Sequence, residues 1–154
     1  MLKILILVAF LFSMPSAIHR ADCVCIKEPH PSPEKVRADR RRAYGEATTV
    51  FLGKVVALDA YTVKVRLEKR WKGDSQDEVI LSTGAVPGID GTPLPKECSY
   101  QFRLGEKYLI FAYSVGDKLE ANSCSTLEAK DALEEEKSLD EIREHETIKE
   151  KSDE

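Results

Sequence analysis

The sequence predicts a small, mainly β domain in which five short strands close into an antiparallel barrel with a helix on either flank. Three observations predict it. β-branched and aromatic runs recur between residues 48 and 122, separated by Gly, Asp and Pro clusters. One run alternates with period two, placing Tyr61, Val63, Val65 and Leu67 on one face and Thr62, Lys64, Arg66 and Glu68 on the other. Helix-start signals stand before the first run and after the last.

Taken in order, residues 1–22 read as a secretory signal. Lys3 is followed by an apolar run at 4–12 and a small-residue exit at 13–17, with cleavage expected between residues 17 and 22. The apolar run is too short to span a bilayer, which needs roughly 20 residues, and no later stretch replaces it. The expected product is secreted, extracellular and monomeric, with no membrane span. Residues 23–135 form the expected domain. Pro29, Pro31 and Pro33 make the segment that opens it extended, and Ser32-Pro33-Glu34 gives an N-cap, a first-turn proline and a first-turn acid for a helix to about Gly45. Strands are expected at 48–58, with Gly53 at a bulge or bend, at 61–71, at 77–83 with Val79 and Leu81 opposite Ile80, at 107–114 as the central strand, and at 118–122. Residues 84–97, with three glycines and three prolines, read as a long loop. Ser125 and Glu128 form a capping box that opens a second helix. Its apolar positions thin out, so the acidic tail at 136–154 is expected to be partly helical or disordered, fraying past Glu144. Five strands with these helices fit an OB-like barrel better than a β-sandwich, which usually needs about seven.

The four cysteines, Cys23, Cys25, Cys98 and Cys124, all follow the signal. In an exported chain they read as two disulfides with three possible connectivities. Cys23 and Cys25 are too close to staple a fold together, so each is expected to pair at long range. Such a bridge constrains the unfolded chain by about 4 kcal/mol in the loop-entropy model. A structural zinc site is disfavoured because the paired ligand spacings are missing.

The formal net charge of −4 suggests no nucleic-acid partner. Lys35, Arg37, Arg40, Arg41 and Arg42 form a basic cluster, read first as a solvated helix face and second as a site for a sulfated polysaccharide. His19, His30 and His145 lie far apart in the sequence, and no nucleophile-elbow, zinc-protease, Walker or Rossmann pattern is present. Trp71, at the end of its strand, reads as a partly buried anchor. Nothing points to an enzyme or to a cofactor of its own.

A more specific signal lies in the order of short motifs. Cys23-Val24-Cys25, Pro29-His30-Pro31, the run at 50–55, Trp71-Lys72-Gly73, Cys98-Ser99-Tyr100, the run at 108–112 and the run at 119–124 follow one another in register. Together they resemble the N-terminal domain of the tissue inhibitors of metalloproteinases, a branch of the netrin-like modules, over residues 23 to about 135. The resemblance implies an OB-type barrel and the disulfides Cys23–Cys98 and Cys25–Cys124. It implies inhibition without turnover. The α-amino group and carbonyl of an N-terminal Cys23 would chelate the catalytic zinc of a secreted or cell-surface metalloproteinase. Val24 would enter the specificity pocket, with Cys25, Ile26, Lys96 and Glu97 completing the inhibitory ridge. Val24 stands where the family often has Thr or Ser, and the third cysteine pair and cysteine-rich second subdomain of longer members have no counterpart here. The alternative is a non-inhibitory netrin-like module that binds an extracellular protein or sulfated polysaccharide.

Overall fold

A computed structural model describes Cys25, residues 31–74 and residues 76–152. The expected signal and the ridge positions Cys23, Val24 and Ile26 lie outside the described residues. Within them the chain runs α1 (Pro33–Glu46), β1 (Thr49–Leu58), β2 (Thr62–Lys72), β3 (Glu78–Ser82), β4 (Val86–Pro87), β5 (Pro93–Leu94), β6 (Lys107–Val115), β7 (Lys118–Glu120), β8 (Thr126–Glu128), a 3-10 turn (Ala129–Asp131) and α2 (Leu133–Ser152). All five expected strands are present, as β1, β2, β3, β6 and β7. α1 starts as its signals require, with the Ser32 hydroxyl accepting from the Lys35 backbone N–H at 3.2 Å.

The five strands close in the order β1-β2-β3-β7-β6, β6 returning to pair with β1. The barrel is mixed, not antiparallel as expected. β3 and β7 pair in parallel through Leu81↔Leu119 and Ser82↔Glu120, while the other barrel pairings are antiparallel. The reason is parity: directions that alternate around a closed ring of five must coincide once, and here they coincide where the long 83–106 excursion separates β3 from β6.

The β1–β2 register shifts at three steps, Val50/Phe51, Leu52/Gly53 and Val55/Ala57, and the middle one has a visible cause. At the Leu52/Gly53 step β2 carries one extra residue, since Gly53 faces Leu67 while Leu52 faces Lys69. Gly53 sits where a Cβ would come within 2.6 Å of Val65 Cγ1 and 2.7 Å of the Arg66 carbonyl oxygen, so no side chain fits. The extra residue, Glu68, reverses the side on which later β2 residues lie. Val63 and Val65 point into the barrel, whereas Trp71 joins Val50 on the outer face.

Two cores result. The barrel interior holds Phe51, Val55, Val63, Val65, Leu81, Tyr108 and Ile110, with Tyr100, Phe102 and Tyr108 packed edge to face. The outer core lies between the barrel and the two helices and holds Tyr44, Val50, Trp71, Leu109, Phe111, Ala132 and Leu139. β6 serves both, which is why Tyr108 to Ala112 are all buried and why its sequence is the most apolar.

The second helix departs from expectation at both ends. Thr126–Glu128 is a strand paired with Tyr108–Ile110, so the Ser125/Glu128 capping box opens no helix. The Ser125 hydroxyl instead accepts from the Asn122 backbone N–H at 2.9 Å and closes a turn. α2 begins at Leu133 and stays helical through Ser152, across the tail expected to fray. What holds α2 is a polar clamp around the buried Trp71 indole, whose N–H donates to Asp140 Oδ1 at 2.8 Å. Lys69 Nζ reaches Asp140 Oδ2 at 2.8 Å and lies 4.6 Å from the Trp71 ring centroid. The Tyr44 hydroxyl donates to the Trp71 carbonyl at 2.8 Å; burial, and secondarily the Glu146 carboxylate, push its pKa up to about 12. Trp71 is therefore the anchor its position suggested.

The clamp carries a pH dependence. The Lys69 ammonium, then the Trp71 N–H, hold the Asp140 carboxyl below the usual carboxylate range, although burial opposes them. A carboxyl depressed in the folded state stabilises above its unfolded pKa of about 3.9, and that contribution fades as pH falls through the folded value. In urea melts, Asp140→Asn is expected to be less stable than the wild type at pH 7 by about 1 kcal/mol, a charge-assisted hydrogen bond discounted for the partial exposure of Asp140 and Lys69. The gap should close below pH 4. An equal gap at pH 7 and pH 3 would show that the charge is irrelevant.

Candidate functional site

The site that the sequence suggested is a ridge around the cysteines at one end of the barrel. Its described members are Cys25, Lys96 and Glu97, and the fold assembles them, together with the disulfide cysteines Cys98 and Cys124, from three segments. Antiparallel pairing of β6 and β7 delivers the chain to a turn at residues 122–125. There the Cys124 backbone N–H donates to Asn122 Oδ1 at 2.8 Å and the Ser125 N–H to the Asn122 carbonyl at 3.1 Å. Asn122 thus acts as an Asx-turn residue that holds Cys124 in place.

From the other side come residues 96–99, closed as a turn by the Ser99 N–H donating to the Lys96 carbonyl at 3.1 Å. Cys98 within it has φ of 65°, the left-handed region that non-glycine residues enter only when their surroundings hold them there. The holding groups are visible. Ser123 donates its backbone N–H to the Cys98 carbonyl at 2.9 Å, and its hydroxyl lies 3.2 Å from that oxygen and 3.3 Å from the Ser99 carbonyl. Ser99 also pairs with Asn122 as an isolated antiparallel bridge.

The third segment is Cys25, joined to Cys124 by a disulfide with Cα atoms 5.4 Å apart. One expected bridge, Cys25–Cys124, is therefore present, and it is the one disulfide seen between described residues. Cys98 is disulfide-bonded as well; the expected pairing Cys23–Cys98 involves Cys23, which lies outside the described residues. The fold thus sets Cys25 beside the turn that carries Lys96, Glu97 and Cys98.

The two charged ridge residues differ in their surroundings. Lys96 Nζ stands 3.6 Å from Glu120 Oε2 on β7, a loose pair whose lysine is exposed and which is worth little to stability. Glu97 is exposed at the crest of the turn. Neither is buried, so they suit contact with a macromolecular surface better than chemistry on a small molecule. Among the described residues no group of three or more His, Cys, Asp or Glu is placed to hold a metal ion. Nor is any helix among them long and apolar enough to cross a membrane.

Next to the ridge, residues 84–97, read from the sequence as a loop, fold into the β4–β5 hairpin, with Val86 opposite Leu94 and Pro87 opposite Pro93. A shallow cleft of ≈ 370 Å³ lies at its base, lined among others by Leu58, Asp59, Pro93, Pro95 and Tyr100. Asp59 is not free to act there as a base. The Thr62 hydroxyl, with the Tyr61 and Thr62 backbone N–H groups, holds its carboxyl below the usual range while it closes the β1–β2 turn.

The basic cluster lies on α1 and is largely engaged. Arg40 Nε meets Glu135 of α2 at 2.7 Å, Arg42 meets Glu46 at 3.7 Å, and Lys35 meets Asp39 at 3.9 Å. Much of its charge is opposed by carboxylates of the same chain.

Asn122 and Ser123, which help position the ridge, were not singled out from the sequence, where Ser125 reads as a helix cap. Their signal was the Asn-Ser-Cys-Ser run, four turn-forming or bridging residues in succession after a strand, and a helix cap competed for the same serine. Compared with known proteins, the chain is matched by no protein-family model and by no curated protein, so the ridge stands on its own geometry.

Proposed function

We propose that the chain is a secreted inhibitor of zinc metalloproteinases that acts by occupying the active-site cleft. The observation that carries the reading is the Cys25–Cys124 bridge. It ties the chain two residues beyond Cys23 to the turn at 122–125, which also grips Cys98 and Ser99. The bridge fixes Cys25 in place before binding, and such preorganisation lowers the ordering cost of binding. The motif resemblance and the five-stranded mixed barrel with flanking helices are in keeping with it.

The chemistry follows from the target's zinc. A catalytic zinc keeps one coordination position for water. An α-amine and carbonyl on the same residue form a bidentate ligand that displaces that water. The amine must be free and neutral: with an α-amino pKa near 7.7–8.0, a minority is neutral at pH 7.4, and binding to the metal releases the proton from the rest. Val24 then directs an apolar side chain into the specificity pocket, and Lys96 and Glu97 contact the cleft rim. The zinc belongs to the protease; the inhibitor supplies ligands and shape.

The test combines intact mass and N-terminal sequencing of the secreted protein with titration against a panel of metalloproteinase catalytic domains. A chain beginning at Cys23 is expected to inhibit at one-to-one stoichiometry, and a form with one alanine added before Cys23 is expected to lose at least about 100-fold in affinity, the scale of one metal-directed interaction. Equal inhibition by the two forms, or none by either, would remove the chelation model.

A further inference from the structure

The sequence holds one aspartyl-glycyl pair, Asp90-Gly91, and the fold puts it at the exposed tip of the β4–β5 hairpin. Such a pair can react with itself. The Gly91 amide nitrogen attacks Asp90 Cγ, a C–N bond forms, the carboxyl C–O bond breaks and water leaves, closing a five-membered succinimide. Water then opens the ring at either carbonyl, and opening at the backbone carbonyl leaves an isoaspartyl link. Nothing is oxidised or reduced, and the water released at closure is returned at opening. Glycine favours the step because no side chain shields its nitrogen.

The surroundings of Gly91 leave room for it. A Cβ built on Gly91 would meet no atom within 4 Å, and its φ of 80° is a conformation that glycine adopts without strain. The hairpin is also weakly closed. It has two residue pairs, Val86 with Leu94 and Pro87 with Pro93, and the proline pair contributes no N–H. A two-stranded hairpin of that size opens locally at little cost. Ile89, beside Asp90, is fully exposed, so no packing holds the tip shut.

What restrains the reaction is Thr92. Its hydroxyl donates to Asp90 Oδ1 at 2.6 Å and its backbone N–H to the same oxygen at 3.1 Å, which ties the carboxyl to Thr92 and away from Gly91. These donors, the hydroxyl first, hold the carboxyl below the usual carboxylate range. Only the neutral carboxyl can release water, so a carboxylate kept ionised reacts slowly. The Gly91 N–H donates to the Gly88 carbonyl at 3.0 Å, a bond that must break before the nitrogen attacks. Asn122, the one asparagine of the chain, is a second candidate for such a ring, and there the fold stands in the way. The Ser123 N–H it would need donates to the Cys98 carbonyl at 2.9 Å, and Asn122 Oδ1 accepts from the Cys124 N–H at 2.8 Å.

We infer that Asp90-Gly91 is a spontaneous modification site, where the folded chain converts aspartate to isoaspartate, and that the Thr92 hydroxyl sets the rate. The isoaspartyl link adds one carbon to the backbone between residues 90 and 91. That carbon displaces the hydrogen bonds from Gly91 to Gly88 and from Gly88 to Thr92 that close the tip. A Cβ placed on Gly84, at the other end of the hairpin, would lie 3.7 Å from Lys96 Cβ and 3.9 Å from Ser99 Cβ. Modification therefore opens the hairpin beside the turn that carries Lys96, Glu97 and Cys98. None of this chemistry depends on what the ridge binds.

The test incubates the purified, disulfide-intact protein at physiological temperature and pH in water enriched in heavy oxygen, alongside Thr92→Val and Asp90→Glu. Label and isoaspartate are mapped by peptide mass spectrometry. Both substituted residues are exposed, so each variant should fold as the wild type does. Label is expected at residue 90 ahead of every other aspartate and of Asn122, with isoaspartate accumulating there. Thr92→Val should react roughly fivefold faster, the effect of one net hydrogen bond to the carboxylate, and in urea the two chains should react at one rate. Asp90→Glu should take up no label at that position, since its longer side chain cannot form the five-membered ring. If the folded wild type stays unlabelled at residue 90 while the urea-unfolded chain is labelled, the fold blocks ring closure and the site is lost. Label appearing first at another residue overturns the assignment. Equal folded rates for wild type and Thr92→Val, or the same difference in urea, would remove Thr92 as the folded-state restraint.

Discussion

Replacing Cys25 and Cys124 together by serine is expected to lower the midpoint of thermal unfolding by about 10–15 °C, and to weaken binding further than that loss of stability accounts for. The bridge joins residues 99 apart in sequence, so it removes a large share of the unfolded chain's freedom. In the loop-entropy model a closure of that length contributes roughly 4–5 kcal/mol, with measured values often lower. For a domain of this size, each kcal/mol shifts the midpoint by roughly 3–5 °C. The barrel core does not depend on the bridge: Phe51, Val55, Val65 and Tyr108 pack within it, away from the cysteines. The double variant should therefore fold and remain cooperative, with its far-UV spectrum unchanged. What it should lose is the tether that holds residue 25 against the turn at 122–125. A midpoint within 2 °C of wild type would show that the bridge does not restrain the unfolded chain. An unchanged affinity would show that the ridge needs no tether.

The legibility of this fold in its sequence follows the range of the interaction that decides each element. β2 shows the boundary well. Its alternation Tyr61, Val63, Val65, Leu67 is a local signal and reads correctly as far as Leu67. At Glu68 the strand gains a residue because Gly53 on the neighbouring strand permits a close approach, and from there the parity is reversed. Gly53 could be suspected from β1 alone, but the partner residue that absorbs the shift could not. The parallel β3–β7 pair is likewise invisible locally, since it follows from closing a ring with an odd number of strands. Ser125 is a case of two local motifs competing: Ser-x-x-Glu reads as a helix cap, yet the same serine closes a turn against Asn122, and the free edge of β6 takes the following residues as β8. Of the ridge, the cysteines came from ordered motifs and the Lys96–Glu97 pair from the resemblance those motifs carry, whereas the Ser123 contacts that fix Cys98 with positive φ depend on two segments 25 residues apart.

The second helix gives the other large effect. Leu139→Ala is expected to cost roughly 3 kcal/mol, within the 2–5 kcal/mol span of buried leucine truncations. Removing the chain after Arg143 should change stability by less than about 1 kcal/mol. The contrast rests on where α2 touches the barrel. Leu139 is fully buried in the outer core beside Trp71, Leu109 and Phe111, and Ile142 packs against the same cluster. Asp140, next in sequence to Leu139, makes the polar clamp to Trp71 and Lys69. Beyond Arg143 the described side chains are exposed, and Ile148 is left to solvent. That last stretch is helical, so the sparse apolar pattern misled about its conformation but not about its lack of packing. Short charged helices without a packed face are marginal in water, and what sustains this one is continuation from the anchored turns before it. Hydrogen exchange would separate the two halves: amides near Leu139 should exchange through global unfolding, and those past Glu144 through local fraying. Uniform protection along α2 would mean that its far half is held by a contact outside the barrel, and the truncation would then prove costly.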